Sequence, residues 1–354
     1  MKVLDFLNVL RNDLPFKQLD VFDFRENVKL SQKLFLEKFQ QVDESDLKKF
    51  LPVCDSHLTK KMLLYRFEKI TKKLCDSIDA YLDGYPFQAF KELYKLSHNV
   101  SFISRLSDRY DNFLDLKDQR FIGQLDYFRM RVIDTTKGTT FPTSENLFHT
   151  PFENRGKVST SRFSIPGYPC LYVSRSLKGC WLEINCPNEN IFASRFQVDT
   201  NYRILQPLNI TIPKPFTESI YEIDGDHNQN YEAFCFLLTF PIIQLCLFKV
   251  KEHDDIFKPE YIIPQLLMQY IKSPDVYFDS IMYSSTKEGT GEDLFHNLVI
   301  PIKETAKNGY CSALVKQFKL SNPLKVEFFT DTDLNKTEEV MINIPVENLS
   351  VRKF

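Results

Sequence analysis

Four side chains have the chemical types needed to act on a phosphorylated, positively charged sugar derivative: Arg162, Tyr172, Glu183 and Ser285. An arginine presents a planar fork of donors that grips phosphate oxygens in a bidentate manner. A tyrosine ring stacks on a flat cationic ring and favours its charge. A carboxylate stabilises the oxocarbenium-like charge that develops when a bond to a sugar breaks, and can also hold a ribose hydroxyl. A serine hydroxyl orients a sugar or a carboxamide by hydrogen bonding, a positioning role. Tyr172 follows Arg162 by ten residues and Glu183 follows Tyr172 by eleven. Taken singly, each also reads as ordinary structure: a surface arginine before a turn, a strand aromatic, a solvated helix-end acid and a loop hydroxyl.

The local patterns place these groups on short elements. Arg162-Phe163-Ser-Ile-Pro-Gly167 is a turn signal, and it leads into Pro169-Cys-Leu-Tyr-Val-Ser174, a short strand bounded by turn residues. Residues 176–184 then read as a helix ending near Glu183. Upstream, Phe128-Arg129-Met130-Arg131-Val132 alternates apolar and basic residues with period two, as in a strand with one buried face. That alternation aims Arg129 and Arg131 to one side, where they could form a second phosphate clamp. Further strands are expected at 191–198, 203–205 and 280–283, helices at 231–248 and 264–271, and a polar loop at 135–146. Pro264 suits a first helical turn, where its missing N–H costs nothing.

The first third of the chain has a different texture. Leu63, Phe67, Ile70, Leu74, Ile78 and Tyr81 recur at steps of three and four, drawing one apolar stripe along a helix that Asp83-Gly84 ends. Pro86 starts the next helical stretch, 87–96, and residues 29–39 and 44–50 also look helical. Residues 1–118 are therefore expected to form a helical accessory domain, and 119–354 a catalytic domain.

The bulk numbers exclude several classes. Of the 354 residues, 43% are hydrophobic and 26% charged, the proportions of a folded protein rather than a disordered one. A formal net charge of −2 gives no field that would draw nucleic acid or an anionic membrane. Lys48-Lys49 and Lys72-Lys73 read as solvated helix faces. The eight cysteines are scattered without a C-x-x-C pair, and they read as buried, reduced thiols of a cytoplasmic protein. Met1-Lys2-Val3-Leu4-Asp5 reaches an acid too early for a signal peptide. The apolar run 233–248 is broken by Thr239, Pro241 and Gln244 and falls short of the roughly 18–20 residues of a membrane span, so it reads as a buried helix, kinked at Pro241. Asp224-Gly-Asp226-His-Asn228-Gln-Asn230 has the alternating oxygens of a calcium loop. However, Gln229 and Cys235 stand where that loop needs Gly and Glu. His253-Asp254-Asp255 lacks companion ligands, and the six histidines never pair at metal spacing, so no metal site is expected.

Phe148-His-Thr-Pro-Phe152, Arg162-Phe-Ser-Ile-Pro-Gly167, Leu171-Tyr172-Val-Ser174 and Trp181-Leu-Glu183 together resemble the core signature of the RES domain family, named for an Arg, a Glu and a Ser. Ile281-Met-Tyr283-Ser284-Ser285 is similar to that family's Tyr-x-Ser element, its register favouring Ser285 over Ser284. Pro264-Gln265-Leu266-Leu267 is similar to the Pro-Gln helix before it. The resemblance runs from about residue 125 to the C-terminus. It departs from the family at Ser161, where many members have Gly, and at Ser164, where many have Asn, which leaves the loop conformation open.

The resemblance implies an α+β fold related to ADP-ribosyltransferases, preceded here by the helical segment. It further implies cleavage of the nicotinamide–ribose bond of NAD, which is substrate rather than cofactor. Water or inorganic phosphate would be the acceptor, with transfer to a macromolecule, or nucleotide or partner binding without chemistry, as alternatives. Arg162, Tyr172, Glu183 and Ser285 would be catalytic, and Arg129, Arg131, Arg162, Phe163, Tyr172 and Ser285 would contact NAD. Several family members are toxins paired with an antitoxin, so an antitoxin is an expected partner that the helical segment could dock. No nucleic-acid or membrane partner is expected, and the sequence leaves the oligomeric state open.

Overall fold

The computed structural model describes residues 1–19, 23–98, 104–107, 126–133, 141–187, 189–199, 202, 205–222, 229–287, 295–327 and 330–349. Residues 135–140 of the expected 135–146 loop, residues 203 and 204 of one expected strand, and residues 224–228 of the calcium-like loop lie outside them. In chain order the elements begin with α1 (Val3–Asn12), α2 (Phe24–Gln40), α3 (Glu44–Phe50), α4 (Lys60–Leu82), α5 (Pro86–His98) and α6 (Ser104–Ser107). There follow β1 (Asp126–Val132), α7 (Ser144–Leu147), β2 (Cys170–Ser174), α8 (Leu177–Glu183), β3 (Ile191–Val198) and β4 (Pro207–Ile210). Next come α9 (Gln229–Cys246), α10 (Ile262–Ile271), β5 (Ser280–Ser284) and β6 (His296–Pro301). The chain closes with α11 (Ser312–Gln317), β7 (Phe318–Ser321), β8 (Leu324–Val326), α12 (Asp331–Ile342) and β9 (Val346–Asn348). The class is α+β, with a helical N-terminal region ahead of the sheet. No helix among the described residues is long and apolar enough to cross a membrane.

Two compact units divide the chain, Met1–Leu114 with Leu208–Val276, and Asp115–Pro207 with Tyr277–Phe354. The single boundary expected at 118 sits beside the first crossing, but residues 208–276 return to the helical unit. The reason is α9. Every residue from Ala233 to Cys246 is buried, so this helix has no solvated face and needs cover all round. α2 and α3 supply part of that cover: Phe35 stacks on Phe240 with ring centroids 5.3 Å apart, and Phe50 meets Phe234 edge-on at 6.3 Å. Pro241 lies inside α9, and its carbonyl accepts a bond from Gln32 Nε2 at 3.3 Å while the same amide reaches Gln244 Oε1 at 3.0 Å. In α4, Leu63, Phe67, Ile70, Leu74 and Ile78 form the buried stripe, and Thr59 caps its first turn by accepting from Met62 N at 3.2 Å.

The second unit is built on an antiparallel sheet in the order β5-β6-β2-β1-β3-β7-β9, with β8 also paired to β3. Phe128 and Met130 from β1, Ile191 and Ala193 from β3, and Leu177 and Cys180 from α8 share one core with Leu334 and Met341 of α12. Glu338 of α12 accepts from Leu177 N at 2.8 Å, and Ser176 accepts from Gly179 N at 3.1 Å, so two of the free N–H groups at the start of α8 are satisfied. All eight cysteines are free, five of them buried; Cys54 is exposed and Cys75 and Cys186 are partly so, against the expectation that all would be buried.

A chain beginning at residue 116 would keep α9 while losing α2 and α3, and would present its apolar surface to water. Such a chain is expected to be insoluble or to bind the dye ANS strongly, unlike the intact protein. A soluble, dye-silent fragment in those two measurements would show that α9 needs none of the first 115 residues.

Candidate functional site

Strand register brings distant residues into one row. Phe128 pairs with Ser174, Ser174 with Asn297, and Asn297 with Tyr283, across β1, β2, β6 and β5. Partners across an antiparallel ladder share a face, as do residues two apart on a strand, so Tyr172, Ser174, Asn297 and Tyr283 project to the same side. That is also the side on which α8 lies. A Cβ built on Gly179 would overlap Ser174 Oγ and stand 3.2 Å from Phe295 Cβ, so only glycine permits the helix this close. One turn further on, Glu183 ends the helix over the row.

The Glu183 carboxylate meets two donors there. Ser285 Oγ and Asn297 Nδ2 both donate to its Oε1, each at 2.7 Å. Ser285 follows β5, its backbone N–H donating to Phe295 O at 2.8 Å, and its Oγ accepts from Lys287 N at 3.1 Å. The hydroxyl proton is thereby committed to Glu183, which leaves one lone pair for a bound molecule. Ser284 instead pairs with His296 inside β5 and is fully buried.

Arg162 reaches the site from a tight reversal. Ser161 N donates to Ser164 O at 2.9 Å and Ser164 N to Ser161 O at 3.1 Å, so Arg162 and Phe163 occupy the tip of a two-residue turn. Serines at 161 and 164 therefore hold a defined loop through reciprocal backbone bonds. From the tip, Arg162 Nη2 donates to Thr286 Oγ1 at 2.9 Å, beside Ser285. Phe163 turns the other way and is buried on Tyr283, ring centroids 4.7 Å apart. Ser164 Oγ lies 3.0 Å from the Tyr172 hydroxyl and fixes the ring's outer end. Gly167, at φ 74°, closes the turn before β2 in a left-handed conformation that suits glycine.

Tyr283 marks where these groups converge. Burial pushes its phenol well above the usual range, Glu183 and Tyr172 push it the same way, and Arg162 opposes them. Three of the four residues singled out from sequence thus act on one buried tyrosine, and the fourth, Ser285, bonds to Glu183 beside it. Sequence reasoning assigned no role to Tyr283 or Asn297. For Asn297 a signal existed, since it is the one polar residue facing this side in the run Asn297-Leu-Val-Ile300.

Arg129 and Arg131 share the opposite face of β1 from Phe128, as their alternation requires. β1 and β2 pair only at Phe128 and Ser174, and Arg129 Nη1 bridges the gap beyond, donating to Tyr172 O at 3.0 Å. Arg131 Nη1 donates to Asn146 O at 2.9 Å. Burial lowers the pKa of Arg129 well below its usual range, and the neighbouring charge of Arg131 adds to that. Both arginines also act on His149, whose pKa falls to about 4, chiefly through burial. His149 is satisfied as a neutral ring: Cys311 N donates to Nε2 at 2.9 Å, so Nδ1 carries the proton and donates to Thr150 O at 2.8 Å.

The RES domain model matches residues 138–308 of the chain. The match contains Arg162, Tyr172, Glu183, Ser285 and Asn297; Arg129, Arg131 and the residues after 308 lie outside it, a narrower span than the resemblance suggested. Among curated proteins the chain is similar to "Putative toxin YopC" of Bacillus subtilis (strain 168), 33% identical over 279 residues. That alignment covers 75% of this chain and 60% of the relative, so the chain spans about three fifths of the relative's length. No solved structure matches the chain.

Two outcomes follow from the packing. Gly179→Ala is expected to cost about 1–3 kcal/mol in urea unfolding, the usual range for overpacking, and Ser174→Ala in the same chain should recover most of it. Equal costs with and without Ser174 Oγ would show that the helix does not rest there. His149 takes up a proton only near pH 4 when folded but near 6.5 when unfolded, so the unfolded chain binds more protons between these values. Its contribution to stability should therefore be lost as pH falls from about 6.5 towards 4. Urea midpoints measured across that window should drop more steeply for the native chain than for His149→Gln; parallel curves would contradict the neutral assignment.

Proposed function

We propose that the protein is an enzyme that breaks the bond between nicotinamide and ribose in NAD, acting as an NAD glycohydrolase or NAD phosphorylase. The observation that carries this reading is the Glu183 carboxylate, held by Ser285 and Asn297 within reach of Arg162 and Tyr172 inside the span that the RES domain model matches.

The roles follow from the chemistry of the bond. The C–N bond from ribose C1′ to the pyridinium nitrogen breaks, and its electron pair leaves with neutral nicotinamide. The positive charge passes to the ribose as an oxocarbenium-like species, which the Glu183 carboxylate stabilises. Tyr172 stacks on the nicotinamide ring while it is still cationic. Arg162 grips the diphosphate; Arg129 and Arg131, on the other face of β1 and bonded to Tyr172 O and Asn146 O, do not add the second clamp expected of them. Ser285 acts mainly through Glu183, offering its remaining lone pair to a ribose hydroxyl. Water or inorganic phosphate then adds to C1′, giving ADP-ribose or its 1-phosphate.

The name of the curated relative supports a toxin role, with an antitoxin as partner and NAD depletion as the means of growth arrest. The purified chain incubated with NAD, with and without phosphate, is expected to release nicotinamide, and Glu183→Gln to lower the rate about 10²–10³-fold, the usual loss when one electrostatic contact to a transition state is removed. Induced in cells, the native chain should deplete NAD and stop growth while Glu183→Gln does neither. A folded protein that releases no nicotinamide in either buffer overturns the reading. Labelled NAD marking a macromolecule, with little free product, would replace it with ADP-ribosyl transfer.

A further inference from the structure

We infer that Asn297 is a positioning residue that sets which oxygen of Glu183 faces the substrate. The inference deepens the reading of Glu183 as the transition-state carboxylate and rests on it.

Both hydrogen bonds to Glu183 fall on the same oxygen. Ser285 Oγ and Asn297 Nδ2 each donate to Oε1 at 2.7 Å, and among the described residues Oε2 accepts none. A carboxylate held by one donor can rotate about its terminal torsion, which is broad and roughly two-fold. Two donors, one on the loop after β5 and one on β6, separated from it by 102 and 114 residues in sequence, fix both the position of Oε1 and the plane of the group. Oε2 is then the oxygen presented outward, where charge develops on the sugar.

Asn297 is an expensive residue for a strand to carry. It is only 3% exposed, its neighbours Leu298, Val299 and Ile300 are buried, and among the described residues its own Oδ1 has no hydrogen-bond partner. Leucine at this position would bury no orphan polar atom. The amide orientation is fixed by chemistry, since a flipped amide would set Oδ1 against the carboxylate oxygen. The amide also hydrogen-bonds to the buried Tyr283 phenol, but its short charge-assisted bond at 2.7 Å goes to Glu183. Tyr283, opposite Asn297 in the ladder and buried against Phe163, walls the group in and keeps bulk water from competing for Oε1.

The test uses the full chain with Asn297→Leu and Asn297→Asp. The leucine variant is expected to fold, with a somewhat lowered urea midpoint because the Tyr283 phenol and Glu183 each lose a partner, and to lose about 10- to 100-fold in kcat with little change in KM. The aspartate variant places a second carboxyl group against Glu183, and the pair shares one proton at low pH. The introduced carboxyl group, once protonated, then supplies the missing donor, so this variant should regain activity as pH falls and lose it as pH rises, a dependence absent from the native chain. Native kcat in the leucine variant, or an aspartate variant with the native pH profile, overturns the inference while leaving the NAD reading intact. Should the native chain release no nicotinamide, the functional reading falls by itself. The inference is then decided by a crystal structure of the leucine variant, where Glu183 Oε1 is expected to leave Ser285 Oγ and where an unmoved carboxylate refutes it.

Discussion

The site depends on one oxygen atom. Glu183 Oε1 accepts from Ser285 and from Asn297, and these two bonds join the end of α8 to the loop after β5 and to the start of β6. A hydrogen bond to an ionised group is about twice as strong as a neutral one, and the geometry it imposes is correspondingly narrow. The carboxylate can meet both donors only if α8 lies close on the sheet, and the smallest residue sits where it does so, at Gly179 above Ser174. The helix is only seven residues long, so its direction comes from the satisfied donors at its start and from its packing on Phe128 and Met130 rather than from its own stability.

Antiparallel pairing explains how residues more than 100 positions apart meet so closely. Once Ser174, Asn297 and Tyr283 are opposite one another, a slip of one residue in either ladder would turn the whole polar set away from α8 and bring Leu298 and Met282 in its place. The apolar residues between them, Val173, Leu298 and Met282, face the other way and are buried there, which penalises that slip strongly. Register, and with it the site, is therefore enforced by hydrophobic burial on the face that does no chemistry.

What could be read from the sequence follows the same physics. The stripe of α4, the alternation of β1, the turn and strand carrying Arg162 and Tyr172, and the helix ending at Glu183 all announce themselves within windows of ten to twenty residues, and the structure places them as expected. β6 did not announce itself. A strand buried on both faces reads as a continuous apolar run without alternation, and such a run cannot be told from a buried helix by period alone. Asn297 and the role of Tyr283 were lost with it, because each acquires meaning only from its cross-strand partner. The return of residues 208–276 to the helical unit was hidden for a related reason: the apolar run of α9 shows that it must be buried, but not by which segment. The elements after residue 310, short and stabilised by tertiary contacts, carried little local signal.

Buried polar residues in this unit divide into two kinds, and the division separates structure from chemistry. His149 is fully buried among aromatic rings, yet each ring nitrogen has a backbone partner and the neutral form is complete, so its presence is accounted for by folding. Arg129 spans the gap where β1 and β2 part, and its bond to the Tyr172 carbonyl replaces one the ladder cannot make there. Asn297 and Glu183 answer to a different rule. One keeps an orphan oxygen, the other directs both its bonds to a single atom, and neither arrangement lowers the free energy of the fold as far as an apolar pair of similar size would. Among the described residues neither Asn297 Oδ1 nor the second oxygen of the half-buried Glu183 accepts a hydrogen bond, and both lie at the C-terminal end of α8, where a bound molecule would complete them.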